Sequence, residues 1–151
     1  MTIIRAFQPE DSVNVSNLVR KVLKESLSRD YPEATIQLLY VEYKPKYFKE
    51  PIHDQKIFIA KDDDKIIGTA AILNNLIMDV FVDPDYERKG IGSKLVSHLE
   101  QLARLQGHTT TKISANPYAI DFYEKLGYTK AEEKYLELYD LWEIIVKKKF
   151  K

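Results

Sequence analysis

The densest run of residues able to do chemistry is Val80-Phe81-Val82-Asp83-Pro84-Asp85-Tyr86-Glu87-Arg88-Lys89-Gly90-Ile91-Gly92-Ser93. An apolar run enters a turn with two glycines. That turn opens a segment carrying Leu95, Val96, Leu99, Leu102 and Ala103 at helical spacing. The first N–H groups of a helix have no partners inside it, and the aligned peptide dipoles add partial positive charge there. Glycines let main chain close around an anion, and Arg88, Lys89 and Lys94 add full charges. The combination favours a pyrophosphate. A P-loop is excluded, because it needs Gly-x-x-x-x-Gly-Lys-Ser/Thr. A dinucleotide fingerprint needs a small residue where this chain has Leu95, and an acidic residue on a following parallel strand. Taken alone, Gly-x-Gly is equally a tight turn before a helix.

The elements that must position this turn are legible in outline. The 151 residues suit a single domain spanning 1–151, with no repeat or linker. Ile3, Ile4 and Phe7 suggest a strand, and Val15, Leu18, Val19, Val22, Leu23 and Leu27 an amphipathic helix. Residues 30–50 predict one or two short helices. Their tyrosines (31, 40, 43 and 47) and Phe48 either cap the edge of a core or line a pocket. Ile57–Ala60 and Ile66–Ile72 form a hairpin across Lys61–Lys65, whose three aspartates read as a solvated turn and not a metal site. A third strand covers Ile77–Val82, and Gly107 ends the helix after the glycine turn. There follow a strand at Lys112–Ser114, a helix at Pro117–Leu126, and strands near Tyr128–Leu138 and Leu141–Phe150, the last with Trp142, Ile144, Val146 and Phe150 on one face. This is an α/β chain of α+β type: a mixed, mostly antiparallel, twisted sheet flanked by helices.

Composition narrows the function. Lys plus Arg and Asp plus Glu both number 23, and a chain that lives by neutralising nucleic-acid phosphates carries a basic excess. The absence of cysteine removes disulfides, thiolate zinc sites and a cysteine nucleophile. No metal is expected. No run of about 18 apolar residues spans a membrane, and Met1–Arg5 is too short for a signal peptide, so the expected location is cytoplasmic.

The glycine segment resembles the central motif of the GNAT superfamily of N-acetyltransferases, Gln/Arg-x-x-Gly-x-Gly/Ala after a strand and an Asp-Pro-x-Tyr turn. Further on, Asn116-Pro117-Tyr118-Ala119-Ile120-Asp121-Phe122-Tyr123-Glu124-Lys125-Leu126-Gly127-Tyr128 is similar to that family's second motif, Asn-x-x-Ala-x-x-Phe/Leu-Tyr-x-x-x-Gly-Phe/Tyr. Order, separation and element sequence match across nearly the whole chain. One position departs: Glu87 stands where the family has Gln or Arg, with Arg88 beside it.

The resemblance implies an acyl-CoA N-acyltransferase fold, splayed at its centre, that moves acetyl from acetyl-CoA to a primary amine by direct attack. It implies that Val80, Phe81 and Val82 offer main chain to the pantetheine arm, that Glu87, Arg88, Lys89, Gly90, Ile91, Gly92 and Ser93 wrap the pyrophosphate, and that Asn116 bonds the arm. Tyr123 would protonate the departing thiolate, since a phenol with pKa about 10 holds its proton at neutral pH. Its structural alternative is packing, because Phe122, Tyr123 and Leu126 form a helical stripe. Asn116 also suits an N-cap before Pro117. A base is needed for the ammonium, and Asp79, on the opposite face from Val80 and Val82 by strand parity, is the candidate ahead of Glu42 and His53. The expected partner is a small-molecule or peptide amine, with no nucleic acid or membrane, and the chain a monomer or homodimer. Residues 30–50 and 135–140 would choose the acceptor. The rival readings are a CoA-sensing module without turnover and an interaction domain without CoA.

Overall fold

A computed structural model describes residues Met1–Lys151. The chain opens with β1 (Thr2–Ala6) and α1 (Ser12–Glu25). In α1, Val15, Leu18, Val19, Val22 and Leu23 form the buried stripe, and Leu27 falls in a short 3₁₀ turn beyond it. The aromatic-rich segment forms two helices, α2 (Glu33–Glu42) and α3 (Pro45–Lys49), each started by a proline that fixes the entering backbone. Then come β2 (Lys56–Asp62), β3 (Lys65–Leu73) and β4 (Leu76–Val82) as an antiparallel meander. The aspartate triplet makes the β2–β3 turn, with Asp63 in the left-handed region at φ +52°. Next are α4 (Ile91–Leu105), β5 (Thr110–Ala115), α5 (Ile120–Lys125), β6 (Thr129–Leu136) and β7 (Leu141–Lys149).

The seven strands lie in the order β1-β2-β3-β4-β5-β7-β6, antiparallel throughout except at β4–β5. That one parallel junction is short. Only Leu76↔Lys112 and Ile77↔Ile113 pair, after which β4 stays with β3 as far as Gly68↔Val82 and β5 stays with β7 as far as Ala115↔Ile144. The sheet therefore splits into a wedge at its centre. Unpaired main chain inside a fold requires another partner, so such a gap is a place for a ligand.

Each face of the sheet has its own core. Ile67, Ile77, Leu95, Leu99, Ile113 and Val146 meet beneath α4 and α5. Val19, Leu23, Phe48, Ile59 and Ala71 meet beneath α1, α2 and α3. Fully burying an Ile or Leu contributes about 1.5–3 kcal/mol, so these two layers hold the wedge open from both sides.

Trp142, Ile144 and Val146 share a face of β7, as alternation predicts, but their burial differs. Ile144 and Val146 are buried, but Trp142 is 48% exposed and packs on Tyr135, because the β6–β7 hairpin runs past the end of β5 and has no layer over it there. β7 is internal and β6 is the edge, so the Lys147-Lys148-Lys149 run lies on an inner strand, and Lys148 reaches in to Glu100 at 3.1 Å.

Candidate active site

The glycine turn delivers an uncapped helix start. Arg88 and Gly90 both sit at positive φ, +62° and +78°, and Gly90 is the N-cap of α4 with no side chain to bond the first amides. Those amides face outward with the positive end of a four-turn helix behind them. A Cβ on Gly92 would lie 3.1 Å from Phe122 Cζ and 3.7 Å from Val82 Cγ2, so glycine keeps this surface open. The turn is braced from behind. Asp83, 2% exposed, accepts from the Asp85 amide at 2.9 Å and from Lys21 of α1 at 2.9 Å, and Lys21 also holds Asp85 at 2.7 Å. Burial pushes the Asp83 carboxyl up, but Lys21 and the Asp85 amide outweigh it and hold it below the usual carboxylate range.

A cleft of about 500 Å³ follows the wedge from this turn inward. Val80, Phe81, Val82, Glu87, Arg88, Gly90, Ile91, Gly92, Ser93 and Asn116 all line it, as does Tyr123. Lys89 does not: its ammonium lies 5.1 Å over the Tyr86 ring, because the alternating turn points it away. Asn116 caps the turn that follows, its Oδ1 accepting from the Tyr118 amide at 2.9 Å, which leaves its Nδ2 free to donate. Ser26, at the end of α1, also lines the cleft and its buried Oγ has no partner within the chain. Tyr123 is 5% exposed, its hydroxyl bonds no protein atom, and burial raises its pKa. Main chain, an orphan hydroxyl and a glycine floor fit a long, polar, anion-headed ligand such as an acyl-CoA.

Behind Tyr123 a second cavity of about 290 Å³ opens beside the C-terminal end of α2, sharing Val80, Phe81 and Asn116 with the first. Asp79 lies on its wall. Strand parity holds relative to Val80 and Val82 but is broken before Asp79. Thr69 pairs with Phe81 and Ala71 with Met78, so Asp79 is the extra residue of a bulge, at φ +53°. The bulge turns its carboxylate to Tyr43 and Tyr47, whose hydroxyls donate to Oδ1 and Oδ2 at 2.7 and 2.6 Å. Burial pushes Asp79 above the ordinary carboxylate range; the two phenols oppose this, and Glu42 and Glu143 add to it. Glu42 lines the same cavity and accepts from Tyr139 at 2.8 Å, while His53 is exposed and lines neither space. The segments 30–50 and 135–140 meet here, with Thr35 donating to the Tyr139 carbonyl at 2.7 Å.

Several of these residues were not singled out by sequence. Tyr43 caps a core edge and also lines the cavity, while Tyr47 caps the edge and touches the site only through its bond to Asp79, so both readings of the aromatic segment hold, at different residues. Glu143 sits in a β-strand with no motif around it, and Ser114 donates to it at 2.6 Å. Lys21 carried no signal beyond being a polar residue on an amphipathic helix.

Residues 20–128 match the model of the acetyltransferase (GNAT) family. The uncharacterized N-acetyltransferase YafP of Escherichia coli is 22% identical over 139 residues, covering 92% of this chain and 89% of that protein. A GCN5-related N-acetyltransferase from Rhodopseudomonas palustris superposes with a TM-score of 0.87 at 21% identity, covering 99% of this chain and 96% of the other. The PaiA N-acetyltransferase of Thermoplasma acidophilum, in complex with coenzyme A, gives 0.84 at 20% identity over 99% of both chains. With the split sheet, the uncapped helix and a family match over most of its length, the chain belongs to the GNAT family of acetyltransferases.

Proposed function

We propose that the protein is an acetyl-CoA-dependent N-acetyltransferase acting on a primary amine by direct attack. The observation that carries this is the meeting of two spaces at one unpartnered hydroxyl: Tyr123 lines both the cleft under the α4 amides and the carboxylate-bearing cavity. Acetyl-CoA supplies an activated acetyl thioester. The amides of Ile91, Gly92 and Ser93, with Arg88, would hold its pyrophosphate, and Lys89 would contribute only at long range. Glu87 is exposed and its carboxylate is free to turn to solvent, so the main-chain donors carry the binding. Val80, Phe81 and Val82 offer main chain along the wedge, and Asn116 Nδ2 and Ser26 Oγ offer polar contacts. The CoA complex of the similarly folded PaiA supports this use of the cleft.

Asp79 would accept a proton from the incoming ammonium. A carboxylate held above its usual range is a stronger base at neutral pH, and its two phenol neighbours fix its position. Tyr123 would give its proton to the sulfur as the thiolate leaves. Burial favours the neutral phenol, so the donor is fully protonated at neutral pH.

Thermal unfolding with acetyl-CoA, CoA and NAD at matched concentrations tests the cofactor assignment. Ligand at a hundred times its Kd adds about 2.7 kcal/mol, a shift of several degrees for a domain this size. A shift with both CoA species and none with NAD is expected. A folded sample that ignores both CoA species sinks the reading.

A further inference from the structure

The inner cavity carries an unusual electrostatic signature for a chain of zero net charge. Three carboxylates line it, Glu42, Asp79 and Glu143, and no Lys, Arg or His does. Each has only neutral hydroxyl partners: Tyr139 for Glu42, Tyr43 and Tyr47 for Asp79, Ser114 for Glu143. None of the three forms an ion pair within the chain. Enclosed carboxylates elsewhere all do: Asp11 with Arg5, Asp83 with Lys21, Glu100 with Lys148. Removing a carboxylate from water without a counter-ion is unfavourable, so a missing cation is expected to arrive with a ligand. Independently, Tyr123, a largely buried side chain that makes no hydrogen bond within the chain, lines the same space. The remaining lining is aliphatic and aromatic, with Tyr31, Leu39 and Trp142 offering surfaces to methylene groups and ring faces to a cation.

Building on the acetyl-transfer reading, we infer that the acceptor is a linear aliphatic amine with a second cationic group and no anionic one. Glu42 and Glu143 hold the distal ammonium, and the reacting end sits between Asp79 and Tyr123. Its ammonium gives one proton to Asp79, from which it passes to solvent. Its nitrogen then bonds the acetyl carbon as the C–S bond breaks, the sulfur takes the Tyr123 proton, and the second surplus proton on nitrogen restores Tyr123. The products are an amide, a thiol and one released proton. Free amino acids and phosphorylated amino sugars are excluded as acceptors, because no cation in the lining can take their anionic group.

Three four-carbon probes isolate the charge requirement: 1,4-diaminobutane, 1-aminobutane and 4-aminobutanoate, assayed by thiol release from acetyl-CoA. The kcat/KM for the diamine should exceed that for 1-aminobutane by about 10- to 100-fold, the yield of one or two charge-assisted contacts, and 4-aminobutanoate should be the poorest of the three. Glu143→Gln, which preserves an acceptor for Ser114, should collapse that preference chiefly through KM. Equal use of the diamine and 1-aminobutane overturns the inference, as does a preference that survives both Glu42→Gln and Glu143→Gln. So does a lysine-bearing peptide acetylated in preference to the diamine. Calorimetry of diamine binding to the CoA-free chain separates the two levels. Diamine binding without any response to CoA sinks acetyl transfer and leaves the pocket assignment standing; a CoA response with no diamine selectivity sinks the pocket assignment alone.

Discussion

The wall of the cleft at α4 and the wall of the cavity beside α2 meet at Tyr123, yet they are made of different material. The first is main chain: helix amides, a split strand and a glycine floor, held from behind by Lys21 and Asp83. The second is side chain: three carboxylates and a ring of tyrosines from segments as far apart as Glu42 and Glu143. A main-chain site demands particular backbone angles and so leaves glycines and prolines at fixed spacing. A side-chain site demands only that the fold bring suitable residues together. The first kind suits a ligand that stays the same from one enzyme to the next, the second a ligand that varies.

Breaking the junction should have the largest effect. Tyr123→Phe is expected to lower kcat by about 10²–10⁴-fold, the usual contribution of a positioned acid. The melting temperature and the CoA-induced shift should hardly move, because the hydroxyl bonds nothing in the protein. An equal loss of folding stability would instead assign Tyr123 to packing alone.

Asp79 probes the side-chain wall in two steps. Asn tolerates the left-handed backbone at φ +53°, its Oδ1 accepts from one phenol and its Nδ2 can donate to the oxygen of the other, so Asp79→Asn should cost about a hundredfold in kcat with little stability. Asp79→Ala should add a stability loss on the order of 2–4 kcal/mol, from backbone strain and two unpaired phenols. Chemical denaturation of both variants beside their kinetics checks the split, and matching stabilities would refute it.

The smallest effect is a contrast in pH dependence. Asp83 has a folded pKa below its unfolded value of about 3.9, so its contribution is present above that value and is lost as pH falls through the depressed one. Asp79 has the opposite sign: its contribution is full below about pH 3.9 and is lost as pH rises through its raised pKa. Stability curves should therefore show Lys21→Met weakening the acid-side dependence, and Asp79→Asn flattening a decline above about pH 4. Identical curves for the two variants would remove the distinction between the walls.

The same contrast explains what sequence revealed. The turn at Gly90 and the strand before it were legible because local backbone demands are written in adjacent residues. So was the second motif, in which Asn116 caps and Tyr123 follows one helical stripe onward. The cavity was not. Glu143 is one of many charged residues in an alternating strand, and only the fold brings it to the same cavity as Glu42. Trp142 takes the side of β7 that alternation predicts yet stays half-exposed, since alternation says which side a residue takes but not whether anything covers that side.

The bulge at Asp79 makes strand length itself informative. Thr69↔Phe81 and Ala71↔Met78 differ in register by one residue, so removing Asp79 would leave both pairings in place and set Val80 opposite Ala70 in an unbroken ladder. A relative one residue shorter between the β3–β4 turn and the Asp-Pro pair would thus keep the sheet and the helix start while losing the inner carboxylate. Among otherwise alike chains, counting residues along this strand would sort those that carry the inner carboxylate from those without it.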